Sequence, residues 1–211
     1  MMATALLLRT FQVPSRFVRP HGTQFRVFSF SFPGPRSLED IVKLPLLSKE
    51  TPEKIESIWR EFHNERKDTI AVSMGAENFQ KLLSRGNECP YFVHPIWREQ
   101  GYFMLLSQFQ DRHVLVTYLE DFKSNPNGAQ PWLVISAYSD LVESKGLGLV
   151  RGDITPNLSS LEASDLFTKI LESYTEDTRY EEVECFNNTP QSFDLEKYVE
   201  ELSKEEMEKK P

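Results

Sequence analysis

Few side chains in this 211-residue sequence could act as nucleophile, general base or soft metal ligand near neutral pH: Cys89 and Cys185, with His21, His63, His94 and His113. Metal binding by such residues needs several of them at helical or loop spacing. The sequence holds no C-x-x-C and no H-E-x-x-H, and its histidines stand far apart. Cys89 could serve as a nucleophile only if a histidine such as His94 or His113 came beside it in the fold. A lone cysteine followed by a proline and a strand reads more simply as a small buried apolar residue. The carboxylate pairs Glu181-Glu182 and Glu205-Glu206 lie in charge-dense stretches, where an ordinary pKa of about 4 is of little use for proton transfer at pH 7. Gly146, Gly148 and Gly152 miss the G-x-G-x-x-G spacing and open no helix, so a turn followed by a strand accounts for them better than a phosphate loop. The residues therefore predict no catalytic group, no metal and no cofactor, with a small hydrolase using Cys89 kept as an alternative.

Binding chemistry is better represented. Between Cys89 and Gln110 the chain concentrates Pro90, Tyr91, Phe92, Pro95, Trp97, Arg98, Tyr102 and Phe103. Aromatics with an arginine are the composition of interface hot spots, because they bury large area at small entropic cost. The same aromatics could fill the core beneath a sheet. Phe92 and Phe103 read as core, whereas Trp97, Arg98 and Tyr102, flanked by prolines and Gly101, read as a loop.

The elements that must position them follow from periodicity. Ser37 caps a short helix over 38–43, which Leu44-Pro45 ends. Thr51 and Pro52 give an N-cap and a first-turn proline, and Ile55, Ile58, Trp59 and Phe62 form one stripe of an amphipathic helix. A buried strand is expected over 69–73 and a helix over 76–84, closed by Gly86. From there the runs become strand-like: 91–93, 102–110, 113–119, 132–138 and 148–152. Asp111-Arg112 makes a tight hairpin turn, and 124–131 is a surface turn cluster. A helix over 160–174 buries Leu161, Leu166, Ile170 and Leu171. Residues 176–189 read as a linker or a poorly packed strand, and 193–209 as a charged helix, with a narrow stripe of Leu195, Tyr198, Val199 and Leu202, that docks loosely or frays. Helices, a block of strands, then helices describe a single α+β domain with a mostly antiparallel sheet.

Composition narrows the partners. With 39% hydrophobic and 12% aromatic residues the chain can build a core, and no apolar run approaches the roughly 20 residues of a membrane-spanning helix. A net charge of −8 argues against a general nucleic-acid binder, which needs a basic surface. The charge is uneven: residues 1–38 carry Arg9, Arg16, Arg19, Arg26 and Arg36, and the first acid is Glu39. An Arg-rich, acid-free start is the mark of an organelle transit peptide. The expected organisation is a transit peptide over 1–28 cut near Phe28, a linker over 29–36, a domain over 37–175, and an acidic linker with a C-terminal helix over 176–211. Loss of 1–28 removes four arginines and no acid, leaving 20 basic residues against 32 acidic ones, a net charge of −12.

An ordered set of residues carries a resemblance: Ser37-Leu38 with Ile41 and Leu47; Thr51-x-Glu53-x-Ile55 with Ile58-Trp59; Glu77-x-Phe79; Cys89-Pro90-x-Phe92 with Pro95, Arg98 and Gly101-Tyr102; Gln108; Tyr138 with Leu141; and Lys145-Gly146. From Ser37 to about Tyr174 the sequence resembles the assembly chaperones of the F(1) sector of mitochondrial ATP synthase that act on the beta subunit. It departs from the animal members in lacking their long charged region before the first helix and in carrying its own acidic tail. The resemblance implies a non-enzymatic protein of the mitochondrial matrix. It would bind the unassembled beta subunit and prevent its aggregation until the alpha subunit replaces it, with Trp97, Arg98, Tyr102 and Gln108 as the expected client-contact residues. A non-catalytic binding module for another organellar client, in the chloroplast stroma for instance, is the alternative.

Overall fold

The computed structural model describes residues 36–208. The expected transit peptide, its cut site near Phe28 and residues 29–35 of the linker lie outside the described residues. Among those described, six strands form one sheet: β1 (Thr69–Gly75), β2 (Tyr91–Arg98), β3 (Gly101–Gln110), β4 (His113–Tyr118), β5 (Pro131–Tyr138) and β6 (Leu147–Ile154). Their order is β1-β6-β5-β4-β3-β2, with every neighbour antiparallel. Strands β2 to β6 are a simple meander, and β1 pairs with β6, so β1 and β2 are the two edges. The predicted α+β class with an antiparallel sheet is what the chain adopts. At the predicted Asp111-Arg112 turn, Asp111 takes φ 58°, a left-handed conformation that aspartate tolerates better than most side chains.

Helices α3 (Ala76–Glu88), α6 (Ser160–Thr175), α7 (Asp177–Asn188) and α8 (Leu195–Glu208) share one large apolar core with the sheet. Two close approaches set this layer. A Cβ on Gly148 of β6 would stand 2.0 Å from the Phe79 ring of α3, and one on Gly86 of α3 would stand 2.2 Å from the Phe109 ring of β3. Gly86 is thus not the end of α3, as its sequence position suggests. The helix runs on to Glu88 because Gly86 is where an aromatic ring must lie flat on the helix.

The other face, at the β1–β6–β5 end, is covered by α2 (Pro52–Asn64), whose buried stripe is Ile55, Trp59 and His63. These pack with Leu38, Leu47, Tyr138, Leu141, Leu147 and Leu149. Thr51 caps α2 as expected, accepting from the Lys54 amide, and Trp59 Nε1 donates to the Val72 carbonyl at 3.1 Å. Leu44-Pro45 does not terminate a helix over 38–43. A 3-10 turn spans Leu38–Asp40, and α1 (Leu44–Leu47) begins with the proline in its first turn, where the missing N–H costs nothing. Two short helices, α4 (Leu119–Ser124) and α5 (Val142–Lys145), occupy connections.

The C-terminal quarter differs most from expectation. Residues 176–189 are neither linker nor strand but helix α7, which buries Val183 and Phe186. Helix α8 does not fray: Tyr198, Val199 and Leu202 are buried, and the Tyr198 hydroxyl donates to the Val93 carbonyl at 3.1 Å. Phe92 of β2 is the reason, since its ring meets Phe186, Phe193 and Tyr198 at centroid distances of 5.7, 6.1 and 5.3 Å. In α6, Leu161 is 82% exposed, and the buried stripe runs instead through Ala163, Leu166, Phe167, Ile170, Leu171 and Tyr174.

Candidate functional site

The segment with interface composition is a hairpin end rather than a loop. Strand β2 continues through Pro95 to Arg98, and the register pairs Trp97 with Tyr102 and Arg98 with Gly101. Pro95 is tolerated for a geometric reason. Tyr91 turns both backbone groups away from β3, its N–H to Asn187 Oδ1 at 3.1 Å and its C=O to Asn187 Nδ2 at 2.6 Å. Strand alternation gives Val93, Pro95 and Trp97 the same outward orientation. The ladder to β3 therefore needs no N–H from residue 95. Gly101, at φ 127°, makes the turn that β-carbon-bearing residues avoid.

Arg98 fastens this hairpin to α6. Its Nε donates to Glu162 Oε1 at 2.8 Å, and Nη2 donates to Glu162 Oε2 at 3.3 Å and to the Asn157 carbonyl at 3.0 Å. The guanidinium also lies 4.8 Å over the Phe103 ring. Such a two-pronged pair fixes orientation as well as charge. Glu162 additionally accepts from the Ser159 amide at 2.8 Å and completes the capping box of α6. Its bond to Arg98 is the largest cause holding the Glu162 carboxyl below its ordinary value. An open depression of about 700 Å³ results, lined by Arg98, Tyr102, Phe103, Ser159, Glu162 and the turn between the strands.

Trp97 and Tyr102 sit beside one another with ring centroids 6.5 Å apart, and Lys169 Nζ lies 5.3 Å from the centre of the Trp97 ring. Tyr102 is 52% exposed. Gln108 lies six residues along β3, roughly 20 Å away at strand rise, and its Nε2 donates to the Tyr91 hydroxyl at 3.2 Å. The structure thus brings Trp97, Arg98 and Tyr102 together and leaves Gln108 apart. By alternation Gln108 shares the face of Trp97 and Tyr102, while Arg98 turns to the opposite one. Glu162, the group that holds Arg98, was missed from the sequence. Its signal is the Ser159-x-x-Glu162 capping pattern, which marks the helix start but not the arginine 64 positions earlier.

The remaining chemistry-bearing residues are dispersed in the core. Cys89 is fully buried; burial is the largest cause pushing its thiol up, away from thiolate, and Asn188 Nδ2 faces its Sγ at 3.8 Å. His94 Nε2 meets Ser107 Oγ at 3.0 Å and His113 Nδ1 meets Ser136 Oγ at 3.2 Å, so each candidate histidine is engaged with a serine. His63 Nδ1 meets the Trp59 carbonyl at 2.7 Å. Among the described residues no three His, Cys, Asp or Glu side chains gather closely enough to hold a metal ion.

Residues 29–199 match the family model described as ATP11 protein. The chain belongs to the ATP11 family. It is 26% identical over 174 residues to "ATP synthase mitochondrial F1 complex assembly factor 1" of Homo sapiens, a match covering 81% of this chain and 53% of that one. The Mus musculus protein of the same name is 25% identical over 177 residues, covering 82% and 54%. "Protein atp11, mitochondrial" of Schizosaccharomyces pombe is 30% identical over 138 residues, covering 63% and 46%. The chain spans about half the length of these ATP11-family relatives. Both the hairpin end and α6, which clamps it, fall inside the matched span.

Proposed function

We propose that this chain is an assembly chaperone of mitochondrial ATP synthase. In the matrix it binds the unassembled beta subunit of the catalytic head, keeps it from aggregating, and yields to the alpha subunit without itself catalysing a reaction. The observation that carries this reading is the ATP11 family match across residues 29–199, whose relatives are named as F1 complex assembly factors. Physical chemistry is consistent with it. A subunit awaiting its neighbours exposes large apolar patches that aggregate unless covered. A placeholder that must leave again is best served by moderate affinity, and mass action from the incoming subunit can displace it.

The contact surface we assign is the hairpin end with Trp97, Arg98 and Tyr102, extended along β3 to Gln108. Arg98 and Glu162 hold the aromatics in place before the client arrives, which lowers the ordering cost of binding. The test is light scattering from purified beta subunit on warming, with and without the chain, in the absence of nucleotide. Suppression near one chain per subunit is expected, together with loss of that suppression in Tyr102→Ala and Trp97→Ala proteins of unchanged circular dichroism. Equal suppression of an unrelated aggregating protein refutes the specificity, and full activity of the paired alanine variant refutes the assigned surface.

A further inference from the structure

Strand β1 is the other edge of the sheet, and its outward side is open. The Ile154 amide donates to the Asp68 carbonyl at 2.9 Å and the Ala76 amide to the Gly146 carbonyl at 2.9 Å. Alternation between these two points assigns the backbone groups of Ile70, Val72 and Met74 to β6 and turns those of Thr69, Ala71 and Ser73 outward. No backbone group of the described residues bonds them. A cleft of about 470 Å³ lies here, lined by Thr69, Ile70, Ala71 and Val72 together with residues of α2 and α6. Consecutive strand residues point to opposite faces, so one cleft can touch all four only at the strand's open edge.

The chemistry of the walls selects an occupant. Arg60, Arg66 and Lys67 line the cleft and no Asp or Glu does, in a chain whose net charge is −8. On the α6 side the wall includes Phe167, with Ile70 and Val72 pointing the same way. Two deeply buried lining residues, His63 at 2% and Thr69 at 7% exposure, leave His63 Nε2 and Thr69 Oγ1 without a hydrogen-bond partner. Burial, the largest cause, lowers the His63 pKa, and the bond to the Trp59 carbonyl requires the Nδ1 proton. His63 Nε2 is therefore a bare acceptor. The open edge itself presents outward N–H and C=O groups at Thr69, Ala71 and Ser73; a simple anion offers only acceptors, whereas a polypeptide carries donors and acceptors in alternation.

We propose that this cleft takes an extended, acidic polypeptide segment of a partner protein, which adds as a seventh strand beside β1. Its backbone pairs with Thr69 and Ala71, its apolar side chains turn toward Ile70, Val72 and Phe167, and its carboxylates turn toward Arg60, Arg66 and Lys67. This is strand addition, in which main-chain bonds supply affinity and alternate side chains supply selectivity. Residues 1–35 of the chain itself hold four arginines and no acid, the wrong charge for this cleft. The inference stands apart from the hairpin reading, because it concerns the opposite edge of the sheet.

The experiment uses the full chain and two labelled octapeptides, one alternating Val with Glu and one alternating Val with Lys. Fluorescence anisotropy is expected to show binding of the Val-Glu peptide at least about tenfold tighter than of the Val-Lys peptide. Bound peptide should slow hydrogen exchange at the Thr69 and Ala71 amides. The triple change Arg60→Glu, Arg66→Glu, Lys67→Glu should weaken binding by about tenfold or more. Ala71→Pro, which removes an outward N–H and no bond to β6, should weaken it with the fold retained. Equal affinity for both peptides, or binding that leaves those two amides exchanging freely, overturns the proposal. So does concentration-dependent dimerisation that protects the same amides in the absence of peptide, which would give the edge to a second copy of this chain.

Discussion

Acidification from pH 7 to pH 5 is expected to cost the fold about 2 kcal/mol through His94 alone. The side chain is 2% exposed, edge-on to the Phe92 ring at 5.4 Å. Ser107 Oγ donates to the Phe92 carbonyl at 3.3 Å and so accepts from His94 Nε2, which must carry the ring's single proton. A second proton would have to enter the buried ring with the Lys169 charge opposing it. Burial first and Lys169 second lower the His94 pKa from the ordinary 6.5 to about 3. Between those values the unfolded chain binds a proton that the native chain refuses, so stability is complete above pH 6.5 and erodes as the pH falls toward 3. The interval from 6.5 down to 5 is about 1.5 units, at about 1.4 kcal/mol per unit. Urea unfolding at pH 7 and pH 5 gives the loss for the native chain. The His94→Gln protein, which keeps a donor toward Ser107, should lose about 2 kcal/mol less over the same interval. The reasoning fails if the two proteins lose the same amount. It fails equally if the His94 ring protons titrate in an NMR series with a midpoint near the ordinary histidine value.

Gly148→Ala should destabilise by about 1–3 kcal/mol in urea unfolding, because its methyl would enter the Phe79 ring of α3. Asn187→Ala leaves both outward backbone groups of Tyr91 unpaired and should cost about 1–3 kcal/mol, with faster hydrogen exchange at the Tyr91 amide than in the native chain. A thiol reagent should modify Cys185, which is partly exposed, well before Cys89, which is buried; early modification of Cys89 would contradict its position in the core. Cys89→Ala should retain full suppression of beta-subunit aggregation, and loss of that activity in a folded variant would revive a chemical role for the thiol.

Local patterns were legible where the side chains that form an element also bury it. The cap at Thr51 and the Ile55 and Trp59 positions of the α2 stripe could be read directly, although the stripe closes with His63 rather than Phe62; so could the aromatic and β-branched runs of β3, β4 and β5 and the turn at Asp111. What failed depended on distant partners. In α7 only Val183 and Phe186 are buried, among five charged residues, too narrow a stripe to announce a helix. It folds because Phe92, some ninety positions earlier, needs a cover. Gly86 reads as a helix stop until Phe109 is known to lie against it. Trp97, Arg98 and Tyr102 were found by composition, but their loop became a hairpin because Pro95 happens to fall where a strand needs no donor. Gln108 shares the strand of Tyr102 but not the neighbourhood of the three.

The two edges of the sheet are treated in opposite ways, and the difference bears on how each could meet a partner. Along β2 the outward backbone is closed step by step: Asn187 takes both groups of Tyr91, Tyr198 takes the Val93 carbonyl, and Pro95 has no N–H to offer. An edge so blocked cannot accept a strand, so recognition at the hairpin end must run through side chains, with Arg98 and Glu162 setting their positions. Along β1 nothing comparable is built among the described residues. Its outward groups face a cleft with three cations, and unpaired edges of this kind are ones that proteins otherwise hide. Natural selection against aggregation would favour a cap like Asn187 at β1 as well, at the cost of one side chain. An edge left open beside a cation-lined cleft is economically explained if a guest strand pairs with its outward backbone groups.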